Sequence, residues 1–250
     1  MNRSSRKAAA ACGAAGMLVG VWLQTGTAGA AGLPAPAALP AVLWGDVTIP
    51  PGRDGIVEAR GFTGPALGTG STLTLTAPAG ARVTGAPLDA PGYRGAVAAD
   101  GRTARYTAAS AERPWRDGAF PFVVAVPADA VPGTRLSGCA LRLADADGAV
   151  RATGGCQVTV GLAEPTLARP ESGVPLEKRP AIAGRAHPGA QITVSDKDDD
   201  EVCADTTGSD GLWGCTPARA LPGGPNRLQA TATLNGVSAA SEQIQITVAQ

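Results

Sequence analysis

The chain has 250 residues, 44% of them hydrophobic, with 34 glycines and 21 prolines. That is too much apolar material for a disordered stalk and suits many short strands and turns. Its 21 bases and 21 acids balance, but Arg3, Arg6 and Lys7 fall in a signal-like start, leaving 18 bases against 21 acids, net −3, beyond it. A mildly acidic remainder argues against a nucleic-acid-binding protein, which needs a clustered positive surface.

After the basic start, residues 8–23 are apolar up to Leu23, and Ala28-Gly29-Ala30 offers a small-residue cleavage point. The pattern predicts a signal peptide over 1–30. Its Ala/Gly content is too weakly hydrophobic for a good membrane anchor, and no later run approaches the length of a span. Cys12 precedes the strongest apolar run, so a lipoprotein site is not expected. Neither a twin arginine nor a C-terminal sorting motif occurs, which points to release or to non-covalent retention at the cell surface. Residues 31–42 read as an extended Pro/Ala leader.

A first β-rich block runs over 43–160. Leu73 and Leu75 alternate with Thr72, Thr74 and Thr76, the period of two that marks a half-buried strand. Tyr93–Ala98 and Thr103–Ala108 flank Asp100-Gly101, a hairpin signal. Phe120–Val126 is more continuously apolar, with Pro121 restricted to its start or to an edge. Cys139 and Cys156 are equidistant from Asp147-Gly148, a pair that favours a two-residue turn with positive φ at both positions. In that register opposed residue numbers sum to 295. Cys139, Leu141 and Leu143 then share a face with Val150, Ala152 and Cys156, and Arg142, Arg151, Gln157 and Thr159 take the other. Register, apolar face and a Cys139–Cys156 disulfide agree.

Residues 161–177 hold Pro165, Pro170 and Pro175 among mixed charges and read as a linker. A second block runs over 178–250. Ile192 and Val194 alternate with polar neighbours, as do Leu228, Ala230, Ala232 and Leu234, and then Ile244, Ile246 and Val248. Cys203 and Cys215 are equidistant from Ser209 in Gly208-Ser209-Asp210-Gly211, which predicts a second stapled hairpin. Neither block carries an amphipathic helix. The expected fold class is all-β, two tandem antiparallel β-sandwiches with disulfide-stapled hairpins.

The run Pro180-Ala-Ile-Ala-Gly-Arg-Ala-His-Pro-Gly-Ala-Gln-Ile-Thr-Val194, then Gly208-Ser-Asp-Gly-Leu-Trp213, then Leu221-Pro-Gly-Gly-Pro-Asn-Arg-Leu228, resembles a bacterial immunoglobulin-like domain over 178–249. Such repeats share a Gly-x-Ala-x-Pro-Gly-Ala strand pair, an Asp-Gly-x-Trp hairpin and a late Leu-x-x-Gly turn. The cysteine pair departs from that pattern. The resemblance implies an Ig-like sandwich acting as a spacer or adhesion module, without a catalytic set. The first block is similar to Ig-like domains of exported actinobacterial proteins, a likeness that brings no functional residue with it.

Catalytic starting points are scarce. The single histidine, His187, falls in the turn Ala186-His187-Pro188-Gly189, and no Gly-x-Ser-x-Gly elbow occurs. Asp205-Thr206-Thr207-Gly208 departs from an aspartic-protease signature by an extra threonine and has no second copy. The acidic run containing Asp196, Asp198, Asp200 and Glu201 is the candidate calcium site, because hard oxygen ligands cluster there; Lys197 interrupts it and a solvated loop explains it equally well. Trp115, in a turn-like stretch, is the candidate glycan contact, weighed against packing over the sandwich end. The expected function is a secreted, non-catalytic binding or structural module. Its partners would be an extracellular protein or a cell-wall glycan, with no nucleic acid, no membrane span in the mature chain and no feature that fixes an oligomeric state. The competing readings are a carboxylate-dependent hydrolase and a small-ligand carrier with a pocket in the first domain.

Overall fold

The computed structural model describes residues 42–88, 92–110, 115 and 118–250. The expected signal peptide and all of the leader but Val42 lie outside them. Alternation of apolar and polar residues dominates the chain, and among the described residues every regular element is a strand. The first ten are β1 (Val42–Ile49), β2 (Asp54–Ala59), β3 (Thr72–Thr76), β4 (Arg82–Gly85), β5 (Tyr93–Val97), β6 (Thr103–Ala108), β7 (Phe120–Ala125), β8 (Arg135–Leu136), β9 (Ala140–Ala144) and β10 (Val150–Val160). They form a seven-stranded sheet in the order β1-β10-β9-β3-β6-β5, with β8 also on β10, and a three-stranded sheet β2-β7-β4. Leu73, Leu75, Tyr106, Leu141 and Leu143 from the large sheet meet Val57, Val83, Phe122 and Val124 from the small one in a single core. Pro121 sits at the start of β7, where its carbonyl accepts from the Tyr106 hydroxyl. Burial pushes the Tyr106 phenol up, although Leu88 N–H donates to it.

Most pairing is antiparallel. One exception is β1, which runs parallel to β10, so the first strand of this block closes on its last. Gly154 permits that closure, since a side chain there would run into the Leu43 carbonyl.

The β9–β10 hairpin reaches the expected register by an unexpected route. Its turn spans Asp145–Gly148, with Gly148 N–H on the Asp145 carbonyl at 3.1 Å and positive φ at Gly148 alone of the pair. Asp145 therefore faces Ala149, one residue out of the two-residue frame, and Ala144 faces Val150. A bulge between Val150 and Ala152 restores the frame, pairing Leu143 with Ala152 and Ala140 with Gly155. Val150 corrects the sequence reading: it is exposed, not on the apolar face. Cys139 and Cys156 are bonded with Cα atoms 5.2 Å apart.

The remaining strands are β11 (Thr166–Arg169), β12 (Pro175–Leu176), β13 (Ile182–Arg185), β14 (Gln191–Ser195), β15 (Glu201–Thr206), β16 (Leu212–Cys215), β17 (Gly224–Leu234), β18 (Val237–Ala240) and β19 (Ile244–Val248). They form the sheets β12-β19-β17-β14-β15, with β18 on β17, and β11-β13-β16. A second core gathers Leu162, Ile182, Ile192, Val194, Trp213, Leu228 and Ile246.

Two expectations need correction here. Residues 161–177 are not a bare linker, because Leu162 is buried in the second core and β11 and β12 pair with β13 and β19. Both strands lie at sheet edges, where proline is tolerated. Cys203 and Cys215 are bonded, Cα atoms 6.0 Å apart, but β15 pairs with β14 and β16 with β13. The bond therefore ties one sheet to the other instead of stapling a ladder. The chain between them turns a corner, and the Asp205 carboxylate accepts from Gly214 N–H at 2.7 Å on the open edge of β16.

Candidate binding face

The structure moves several candidate residues away from chemistry. Trp115 is 3% exposed, packs on Tyr93 and Phe120 at centroid distances of 4.8 and 4.9 Å, and donates its Nε1–H to Ser71 Oγ at 2.7 Å. It presents no face to a sugar. His187 Nδ1 lies 2.9 Å from the carbonyl of Pro188, its own turn neighbour.

The acidic run is a turn. Asp196 Oδ1 accepts from Asp198 N–H at 2.9 Å and Asp200 N–H at 3.2 Å, Asp198 pairs with Lys197, and Asp199 pairs with Arg227 at 2.7 Å. Asp200 and Glu201 edge an open cleft together with Asp196 and Arg219. Among the described residues no three His, Cys, Asp or Glu side chains gather as a metal would require.

The cavity between Leu43, Phe62, Leu73, Trp115 and Phe120 measures about 10 Å³, roughly one water. A larger cleft of about 730 Å³ opens where Pro50, Pro51 and Arg53 meet Glu164, Pro165, Glu242 and Ile244.

Among the described residues the exposed indole is Trp44. Strand alternation turns Leu43, Gly45 and Ile49 inward and leaves Val42, Trp44, Asp46 and Thr48 on the outer face of the large sheet. Trp44 is 51% exposed. Its backbone N–H and C=O are fixed by Arg60 at 3.0 Å each, and the glycine at 61, with φ 106°, lies against the ring, since a Cβ there would come within 3.0 Å of Cδ1.

Register then lines up residues from distant parts of the chain. One row crosses the sheet as Trp44, Gly155, Ala140, Thr76 and Thr103. The adjacent row runs Val42, Thr153, Arg142, Thr74, Arg105 and Ala96. Thr72, Thr107 and Arg94 extend the same face on one side, and Thr159 and Arg135 on the other. Neighbouring strands lie about 4.8 Å apart. The result is a continuous solvent-facing platform: an indole beside two small residues, with threonine hydroxyls and guanidinium groups at regular intervals.

The charge on this face is one-sided. Arg94, Arg105, Arg135 and Arg142 project from it, with Asp46 as the carboxylate on the same strands. The ion pairs among the described residues involve Arg60, Arg151, Lys197 and Arg227, and none of these four. Arg142 donates to the Gly148 carbonyl at 3.2 Å, which holds one end of its guanidinium.

Sequence reasoning missed this face because each of its strands reads only as half polar. The Thr72-Leu-Thr-Leu-Thr76 alternation was legible, but the rows that join it to Trp44 and Arg142 come from pairing between distant segments. The Asn235-Gly236 hairpin between β17 and β18 was also missed, although that dipeptide is the strongest two-residue turn signal. Both residues have positive φ, and Asn235 Nδ2 donates to the Pro132 carbonyl of the first sandwich at 3.0 Å.

No family model matches the chain, and no curated protein does. Among solved structures it is similar to the BSP domain of a biofilm-associated protein, at 16% identity and a TM-score of 0.29. That match covers 84% of this chain, which spans 30% of the other's length. It is also similar to a non-cellulosomal cohesin from Archaeoglobus fulgidus, at 15% identity and a TM-score of 0.34, over 48% of this chain and 92% of that one. A third is the C-terminal domain of the AgI/II polypeptide BspA from Streptococcus agalactiae, at 10% identity and 0.28, over 83% and 96%.

Proposed function

We propose that the chain is an exported, non-catalytic binding module that holds an extracellular protein or glycan against the outer face of its seven-stranded sheet. The observation that carries this reading is Trp44, a half-exposed indole anchored at its backbone on a row of small and hydroxyl-bearing residues. An aromatic ring with one free face adds contact area at little conformational cost, which suits binding better than turnover. The polar side chains around it are arginines, threonines, Gln157 and the single strand carboxylate of Asp46, which offer donors and acceptors but no paired carboxylates for acid–base work.

The test is retention of the mature protein on insoluble cell-wall material. Wild type is expected in the bound fraction and Trp44→Ala in the supernatant, with unchanged melting curves. Equal retention of the two would remove Trp44 from the reading. Turnover of a glycoside or peptide that disappears on substituting a single Asp or Glu would replace it with the hydrolase.

A further inference from the structure

We infer that the partner held on this face is an acidic polysaccharide, one whose sugar rings carry carboxylates. The inference rests on the binding-module reading above and adds the chemistry of the ligand.

Three observations converge. First, the row Arg142, Thr74, Arg105 sets two guanidinium-bearing residues on β9 and β6 with one strand between them, so their backbones stand roughly 10 Å apart. A guanidinium takes a carboxylate through two parallel N–H bonds, and an array of such groups fits a chain that repeats its charge. Second, this cationic strip lies in a chain that is net acidic beyond its first 30 residues, 18 bases against 21 acids. Four of those bases share this face with one strand carboxylate, and clustered positive charge attracts anions. Asp46, and Glu58 beside Arg60, lie at the β1 side, so the positive centre is over β9, β3 and β6.

Third, the neighbouring row places Trp44 next to Gly155 and Ala140, one two-residue strand step, about 7 Å, from the arginine row. A sugar ring seated on the small residues has the indole at its edge. Its ring carboxylate faces the arginine row, where Arg105 stands across from Thr74, and its hydroxyls face Thr76 or Thr153. Nucleic acid is a poorer fit. The strip has one exposed aromatic ring and no groove that tracks a backbone, where single-strand binders stack successive bases.

The experiment uses the mature protein and soluble polygalacturonate as the acidic probe. Its fully methyl-esterified form is the neutral probe of the same backbone, and double-stranded DNA is a second polyanion. Binding is read by co-sedimentation or calorimetry at low and at near-physiological salt. Polygalacturonate is expected to bind with an affinity that falls as salt rises, the ester to bind at least about tenfold more weakly, and DNA not to compete.

Arg105→Gln with Arg142→Gln should bring polygalacturonate down to the ester's level. Arg105→Lys with Arg142→Lys should keep the salt dependence, and Trp44→Ala should weaken acid and ester alike. All of these positions are on the solvent face, and melting curves verify folding. Equal affinity for acid and ester, or competition by DNA, would overturn the acidic-sugar inference while leaving a binding module. Absence of binding to polygalacturonate would also overturn it. If insoluble cell-wall material fails to retain the protein as well, the parent reading falls with it.

Discussion

Asp145 and Asp196 hold the same turn in the two sandwiches. In each, the carboxylate Oδ1 accepts from the backbone N–H groups two and four residues on: Asp147 and Ala149 in the first, Asp198 and Asp200 in the second. In each, the fourth residue of the turn has positive φ, 82° at Gly148 and 64° at Asp199. Each loop is followed by a one-residue irregularity in the ladder, between Val150 and Ala152 and between Glu201 and Cys203. An Asp-x-Asp start supplies the acceptor that the tight loop needs, because otherwise its N–H groups would go unpaired. The acidic run thereby gains a structural role.

Replacing Asp196 with alanine is expected to destabilise the protein by about 1–3 kcal/mol, the effect of leaving two backbone donors without their acceptor. Chemical denaturation checks this. Asp199→Gly is expected to be neutral or mildly stabilising, since glycine occupies the positive-φ position freely, while the exposed pair with Arg227 contributes little. Millimolar calcium should leave the melting temperature where it was, because Asp196 already serves the turn.

Stability should depend on pH through Asp145. Burial alone pushes its carboxyl up, but Arg151 and the N–H groups of Ala149 and Asp147 bring it below its ordinary value. A lowered folded pKa means that the stabilisation is full above the unfolded carboxylate value, about 3.9, and is lost as pH falls through the folded one. The melting-temperature gap between wild type and Asp145→Asn should hold steady from neutral pH to about 5 and close below about 4. A gap that widens on acidification would contradict the assignment.

The two tryptophans should separate cleanly. Trp115→Ala removes a buried ring that packs on Tyr93 and Phe120 and bonds Ser71, at a cost of about 3–5 kcal/mol. Trp44→Ala should change stability by about 1 kcal/mol or less and remove retention on cell-wall material. Thermal melts and pull-downs on the same preparations decide the matter.

The bond between Cys203 and Cys215 closes a short loop of sequence separation 12, worth roughly 3 kcal/mol in the chain-entropy model. Non-reducing peptide mapping of protein purified without reductant should recover the Cys203 and Cys215 peptides joined to each other, and likewise those of Cys139 and Cys156. A Cys139–Cys203 link would contradict both sheets.

Much of the fold was legible because alternation is a local property. Leu73 and Leu75, Ile192 and Val194, and Leu228, Ala230 and Ala232 are buried where their period of two puts them. The register of the first hairpin was legible by its ends and not by its turn. Asp147-Gly148 suggested a two-residue loop, the chain built a longer one, and the bulge at Arg151 compensated, an outcome that depends on packing Ala152 against the core. The Pro-rich stretch read as a linker because proline suppresses strand signals, although edge strands accommodate it.

The sequence by itself determined an all-β chain with two apolar cores and paired cysteines, since strand faces, turns and cysteine spacing are encoded within a few residues of one another. Only the tertiary structure decided that Cys203–Cys215 crosses between sheets, that Trp115 points in and Trp44 out, and that Arg105, Thr74 and Arg142 share a row. The physical reason is that backbone hydrogen bonding has no memory of sequence distance. A strand's pattern specifies which of its side chains face outward, but which other outward side chains stand beside them is set by pairing with strands tens of residues away.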